Sequence, residues 1–376
     1  MIYYIGYYNC DQINHENRVV FPAAVNKMDY LITALDEAVI DDIEVVTPAE
    51  TKNHTWVSGG KRSLAERVTL KTFPSIGSRF KLVQALGRYL TRLCFLLYLL
   101  LHVTAEDQMI VYHSLVYMKE ISFIRKVKKC TLIMEVEEIY ADVSEDTQLR
   151  NKEISFLQIA DKYIYITDLI RKEINTDKSF VVFHGTYRSV PDHGFRFRDG
   201  KKHVVYAGTF HPVKGGVFQS IASAEYLDKS YVLHILGGGS SAEIQNVQNR
   251  IYEVAQRAKC KICYDGYKTG DAFNAFIQAC HIGLSTQQAD GKFNSTSFPS
   301  KILMYMSNGL HVVSVRIPAV ETSSVGQSVF YYDQQDARSI AAAIRAVPQT
   351  SASCNRQALS RLHTEFVHSL GELLRR

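Results

Sequence analysis

The sequence predicts an α/β protein made of two doubly wound, Rossmann-like halves, and three observations carry the prediction. At 376 residues the chain exceeds one ordinary domain and suits about two of roughly 150–200 residues. Short apolar runs alternate with amphipathic helical stretches along its length, the pattern of βαβ units around a mainly parallel sheet. Near the middle, His184 to Lys202 holds three Gly, one Pro and few aliphatics, as a linker does. The content of 46% hydrophobic and 22% charged residues excludes disordered, collagen-like and coiled-coil chains.

Ile2–Tyr7 reads as the first strand, and it leaves no charged leader at the amino terminus, so a cytoplasmic location is expected. Pro22 opens an amphipathic helix running to Ala38. Asp42–Thr47 is a second strand, and Arg67–Phe73 alternates apolar and polar residues like another. A long helix starts near Ser78, and the apolar Met109–His113 follows as a buried-type strand. Val116–Lys129 and Asp146–Ala160 are helical; Cys130–Glu135, Tyr163–Thr167 and Phe180–Phe183 are strands.

A second αβ series starts after the linker. Its strands are His203–Tyr206, Tyr231–Leu236, Lys261–Tyr264, Ile282–Ser285 and His311–Val315. Gly215–Leu227, Glu243–Ala258, Asp271–Ala279, Pro299–Ser307 and Ala337–Ala346 are its helices, with Asn355–Leu374 as an amphipathic tail. The expected division is 1–190, 201–350 and a final helix within 351–376. Ligands of two such halves belong at the strands' carboxyl ends, in the cleft between them.

Charge is distributed unevenly. The formal net charge is +5, but residues 61–129 hold 13 Lys/Arg against 4 acids, leaving −4 for everything else. The overall balance falls short of a nucleic-acid-binding domain, and no partner of that kind is expected. Lys81, Arg88 and Arg92 lie within about 40° of one another on the long helix. Its longest apolar run, Leu93–Leu101, is nine residues, so no bilayer crossing is expected. Two readings stand: a core helix with a solvated basic edge, or a surface helix against anionic lipid. The seven cysteines are odd in number and scattered, which argues against a disulfide framework. Cys260 and Cys263 read as ordinary strand cysteines.

Four segments have the composition of a site. Gly208-Thr209-Phe210-His211-Pro212-Val213-Lys214-Gly215 joins a strand to a helix, where free amides, the helix dipole and the Lys214 charge suit phosphate. Gly237, Gly238 and Gly239 follow another strand and allow close backbone approach. The stretch Asp290 to Lys301 is rich in hydroxyls and enters a helix at Pro299, so Ser297, Ser300 and Lys301 are candidates for a second phosphate contact. His113 ends an apolar strand, and Glu135, Glu137 and Glu138 end the next, which makes them candidates for proton transfer or for bonds to hydroxyls.

Together these segments resemble the GT-B glycosyltransferases, most closely the retaining family four of bacterial polysaccharide and lipopolysaccharide assembly. The family's Lys-Gly loop is similar to Gly208–Gly215, and its Pro-Ser-Lys segment is similar to Pro299-Ser300-Lys301 through Gly309 to Val313. The resemblance implies that Lys214 grips a donor diphosphate and that Gly208, Thr209 and Gly237–Gly239 line the donor pocket. It further implies that Tyr267 and Lys268 meet the base, that Ser297, Ser300 and Lys301 contact phosphate or sugar, and that His113 contacts the donor sugar. Three departures stand out: Thr209 replaces an Arg, Met304 the ribose-binding Glu, and Thr296 the first Glu of a pair. Glu321 is the candidate substitute for the ribose contact.

What the resemblance implies is sugar transfer from a nucleoside diphosphate sugar, such as a UDP-sugar, to a hydroxyl of a glycan or lipid-linked acceptor. Retention is expected, no metal or cofactor is called for, and Glu137 or Glu138 would serve as base in an inverting variant. The final helix would pack back across the domains and onto the first one, and the basic segment would bring residues 61–129 to the inner face of the cell membrane. The rival readings are a nucleotide-sugar epimerase on the same fold and a catalytically degenerate protein that only binds a glycan or partner.

Overall fold

The computed structural model describes residues 1–144, 146–210, 216–288, 296–348, 350 and 352–375, without the side chains at 22, 143, 144 and 353. The chain forms two compact units, Met1–Phe183 with Glu365–Arg376, and His184–Thr364.

The first unit holds an eight-stranded sheet. Its order is Phe180–Val182, Lys162–Tyr165, Thr131–Val136, Gln108–Tyr112, Ile2–Ile5, Ile43–Thr47, Val68–Thr72 and Gly60–Ser63. Every pair is parallel except the last. Ile2–Ile5 and Ile43–Thr47 are buried along their whole length; the first reads as an unbroken apolar run, as central strands do, and the second carries a buried Glu44 within its run. Val68–Thr72 alternates between buried and half-buried residues, as its sequence does. Gly60–Ser63 has no apolar period and escapes a sequence reading. It pairs through its backbone as a polar edge, and its Lys61 and Arg62 reach the buried acids Glu44 and Glu16.

The long helix runs from Lys81 to His102 and buries Gly87, Thr91, Phe95 and Leu99, one face at four-residue spacing. It begins later than Ser78 because the Ser78 hydroxyl accepts from the Phe80 amide in the preceding turn. At Gly87 a Cβ would overlap the Ile76 carbonyl, and Thr91 Oγ1 donates to the Pro74 carbonyl at 2.8 Å. By length and composition this helix could cross a membrane, which the nine-residue run does not suggest, because Gln84, Arg88, Thr91 and Arg92 are the polar residues that interrupt a much longer apolar stretch. Its buried face nonetheless fastens it to the unit. Of the basic stripe, Arg92 is committed internally, with both guanidinium ends on Glu120 at 2.9 Å.

The second unit carries six parallel strands in the order Lys261–Gly266, Tyr231–Gly238, Lys202–Thr209, Ile282–Ser285, His311–Val315 and Val329–Tyr332. Counted along this unit, the order is third, second, first, fourth, fifth, sixth, the Rossmann arrangement. The expected linker is part of this unit. The Val190 amide donates to Ser307 O at 3.1 Å, the His193 amide to Gln278 Oε1 at 2.9 Å, and Phe197 stacks on His203 at 3.9 Å. The units therefore divide at Phe183/His184, ahead of that segment, because its aromatics and amides find partners despite its Gly and Pro content.

The final helix, Ser353–Leu374, is shared: residues up to Thr364 group with the second unit and those from Glu365 with the first. In the first unit Phe366 stacks on Phe183 at 5.0 Å, and Gln108 Nε2 and Lys162 Nζ donate to the terminal carbonyls of Leu374 and Leu373 at 2.8 and 2.5 Å.

Candidate functional site

In the second unit Lys202–Thr209 pairs with Tyr231–Gly238 on one side and with Ile282–Ser285 on the other. The chain leaves this central strand in opposite directions, so a crevice opens outside its carboxyl end. Gly208, Thr209, Gly237 and Gly238 stand at that end. Gly237 has φ 141°, and a Cβ there would overlap the Gly208 carbonyl. A Cβ on Gly208 would lie 2.5 Å from Lys301 Nζ. The missing side chain thus admits Lys301, whose ammonium rests over the Tyr206 ring at 4.0 Å.

Lys301 comes from the first turn of the helix Ser300–Ser307, whose N-cap Pro299 makes no side-chain capping bond. The free amides of that turn and the Lys301 charge together favour an anion. Ser300 is exposed at the helix start and Ser297 half-buried just before it. Tyr267 is 77% exposed and lies near Gly238, open for stacking, while Lys268 Nζ sits over the Phe276 ring at 5.2 Å. Gly239 has a different task. A Cβ there would lie 2.7 Å from Glu243 Oε2, the carboxylate of the capping box that Ser240 and Glu243 form at the head of Ser241–Ala255.

Thr286 directly follows the strand Ile282–Ser285, and sequence reasoning passed over it. Its Oγ1 donates to the Gly216 carbonyl at 2.8 Å and lies 2.7 Å from Ser220 Oγ. Gln335 Nε2 donates to the carbonyls of Thr286 and Gln287 at 3.1 Å each. Gln287 Nε2, Gln335 Oε1 and Thr296 Oγ1 are buried without a hydrogen-bond partner among the described residues. A buried polar group left so costs about 1–3 kcal/mol. Lys214 lies outside the described residues, as do His211–Gly215 and the hydroxyl-rich stretch through Asp290 and Ser295. Met304 is half-buried, and Glu321 is held by Arg316 at 2.7 Å. A cavity of about 310 Å³ lies at the opposite, amino ends of these strands, lined by Arg196, Lys202, His281, His311 and Arg356 among others.

The first unit gathers its own polar groups at its strand ends. His113 does not project from its strand as expected: the side chain is fully buried, between Tyr140 and Phe156 at 5.0 and 6.4 Å. Glu153 Oε1 lies 3.2 Å from His113 Nε2, but its two oxygens already accept from the Tyr140 and Ala141 amides. Burial therefore prevails and holds the imidazole neutral, pulled down to about 3. Nor is Glu137 a free carboxylate, since it pairs with Lys27; Glu138 is half-buried beside it.

Beside that pair, burial pushes Glu135 up to about 7, against the Tyr4 hydrogen bond and the Lys27 charge, which act in the other direction. Tyr4 donates to Glu135 Oε2 at 2.6 Å, and Oε1 is buried without a hydrogen-bond partner among the described residues. Lys27 is itself pulled down to about 8 by burial, against the attraction of Glu135 and Glu138. Lys27 gave no sequence signal, being one lysine on an ordinary amphipathic helix. Among the described residues no group of three or more His, Cys, Asp or Glu is placed to hold a metal ion.

Residues 201–349 match the family described as Glycosyl transferases group 1; no curated protein matches the sequence. Three solved structures are similar over nearly the whole chain. One is described as trehalose-6-phosphate from E. coli bound with UDP-2-fluoro glucose, with TM-score 0.65, 10% identity and coverage of 99% of this chain and 97% of that one. The second is the alpha,alpha-trehalose 6-phosphate synthase from Burkholderia multivorans, at 0.65, 12%, 99% and 94%. The third is the UDP-forming synthase from Burkholderia xenovorans in complex with glucose-6-phosphate, at 0.66, 11%, 99% and 98%. The chain has the two-unit α/β GT-B fold with mainly parallel sheets, and it is within the second unit that the glycosyl transferase model matches. These structures are trehalose-phosphate synthases, so the narrower likeness to family four and to lipopolysaccharide assembly does not come from them.

Proposed function

We propose that the protein transfers a sugar from a nucleoside diphosphate sugar, UDP-linked, to a hydroxyl of a glycan or lipid-linked acceptor in surface polysaccharide assembly. The observation that carries the donor half is the Lys301 ammonium seated against Gly208 at the carboxyl end of the central strand, within the matched family region. In transfer the bond from the sugar's anomeric carbon to the diphosphate oxygen breaks, and a bond to the acceptor oxygen forms. Negative charge grows on the leaving diphosphate, where Lys301, Lys214 and the free amides of Ser300–Ser307 stabilise it without a metal. With retention of configuration the leaving phosphate takes the acceptor's proton, so no separate base is needed. Tyr267 stacks on the base. A cytoplasmic site of action fits a nucleotide-sugar donor.

The test is a nucleotide screen by thermal stabilisation, followed by transfer assays with Lys214→Ala and Lys301→Met. UDP should raise the melting temperature, and each variant should lose about 100-fold or more in kcat/KM. Unchanged turnover would overturn the site. Incubating the donor alone separates transfer from epimerisation. Supplying glucose-6-phosphate beside a polyprenyl-linked glycan separates a sugar-phosphate acceptor, as in the trehalose-phosphate synthase complex, from a lipid-linked one.

A further inference from the structure

The helix Lys81–His102 is apolar on two opposite faces, and the fold uses only one of them. Gly87, Thr91, Phe95 and Leu99 are buried, while Leu82, Leu86, Tyr89, Leu93 and Leu97 are exposed on the far side, about 180° away at 100° per residue. Leu82 is 81% exposed, Leu86 and Tyr89 68% each. A soluble surface does not ordinarily leave a ladder of large apolar side chains in water. Burial of Phe95 and Leu99, the Gly87–Ile76 contact and the Arg92–Glu120 pair hold the helix on its unit. The outer face is therefore offered sideways, with the helix lying flat.

Its surroundings indicate the chemistry of what covers it. No Asp or Glu occurs between Glu66 and Glu106. Arg79, Lys81 and Arg88 are exposed along the same helix and its approach. The helix Met118–Lys128, tied on by Arg92, adds exposed Phe123 and Val127 together with exposed Lys119 and Lys126. Trp56, the single tryptophan of the chain, is 55% exposed on the two-residue strand that pairs with Ser75–Ile76, the strand lying under Gly87. An apolar face with a one-signed basic border and an amphipathic aromatic beside it suits the interface of an anionic bilayer. A second copy of the same chain would set two basic borders against each other.

We infer that the outer face of Lys81–His102, with Phe123, Val127 and Trp56, docks the protein on the surface of an anionic lipid membrane. This deepens the lipid-linked acceptor reading and rests on that reading only for its purpose, since docking and donor binding involve different residues. Docking is tested by co-sedimentation and Trp56 fluorescence with vesicles of phosphatidylcholine, with and without phosphatidylglycerol, at low and high salt. The wild type should bind the anionic vesicles, shift its emission to the blue and be released partly by salt.

A Leu86→Gln/Leu93→Gln/Leu97→Gln variant should lose binding on the order of 100-fold. A Lys81→Ser/Arg88→Ser/Lys119→Ser/Lys126→Ser variant should lose the preference for anionic lipid while keeping weak binding. Both should retain nucleotide-induced stabilisation, which separates failure of docking from failure of the donor site. Three results would overturn the inference: no vesicle binding by the wild type, undiminished binding by the leucine variant, or a wild-type dimer that the leucine variant breaks while lipid has no effect.

Discussion

Glu135 and His113 sit on neighbouring strands and are both removed from water, and the two respond to burial in opposite directions of charge. For Glu135 the neutral form is the protonated one, so the folded state binds its proton more tightly than the unfolded chain. Stability from this group is present below about 4.5 and lost as pH rises to about 7, a cost of about 3 kcal/mol once the carboxylate is fully ionised. Glu135→Gln should therefore gain stability relative to the parent as pH rises from about 5 to 8, measured by urea unfolding. A difference that stays flat with pH would show that the carboxylate is not held at a cost. For His113 the neutral form is the deprotonated one, so stability is lost as pH falls from about 6.5 toward about 3, about 2 kcal/mol by pH 5. His113→Phe should flatten that part of the acid limb.

Among the elements, the helix Ser300–Ser307 and the strand Lys202–Thr209 depend on each other at Gly208. A methyl group there must displace the Lys301 ammonium, so Gly208→Ala should mimic Lys301→Met. Each should reduce nucleotide affinity roughly 10-fold to 100-fold while leaving the unit folded, as read by calorimetric titration. Gly237→Ala differs, because both φ 141° and overlap with the Gly208 carbonyl oppose it. That substitution should lower the melting temperature of the second unit as well as nucleotide binding. Full nucleotide binding by Gly208→Ala would mean that Lys301 does not face the phosphate.

Across the whole molecule, the last helix belongs to both units. Its terminal segment buries Phe366, Leu370, Leu373 and Leu374 in the first unit and closes hydrogen bonds to Gln108 and Lys162. At about 1.5–3 kcal/mol for each buried apolar side chain, these four residues are comparable with the margin of an ordinary domain, about 5–15 kcal/mol. Deleting 365–376 should unfold the first unit at a lower temperature, while UDP still stabilises the second. Scanning calorimetry would show this as two separated transitions, and a single unshifted transition would contradict it.

The alternation of strands and helices and the two-part division were legible because buried parallel strands demand continuous apolar runs and amphipathic helices repeat every 3.6 residues. The turns at the strands' carboxyl ends were legible for a similarly local reason: glycines after a strand, and a lysine in the first turn of a helix, carry their geometry in a few consecutive residues. Tyr4, Lys27, Glu135 and Glu137 are scattered over more than 130 positions and meet only when the sheet brings their strands and helix together. Burial of His113 against Phe156 depends in the same way on a distant helix. The sharpest case is Lys81–His102. Its sequence is apolar nearly all round, and periodicity shows that both faces want cover without showing which one receives it. Packing against Ser75–Ile76 and the helix Met118–Lys128 decided that, leaving Leu82, Leu86, Leu93 and Leu97 to the solvent.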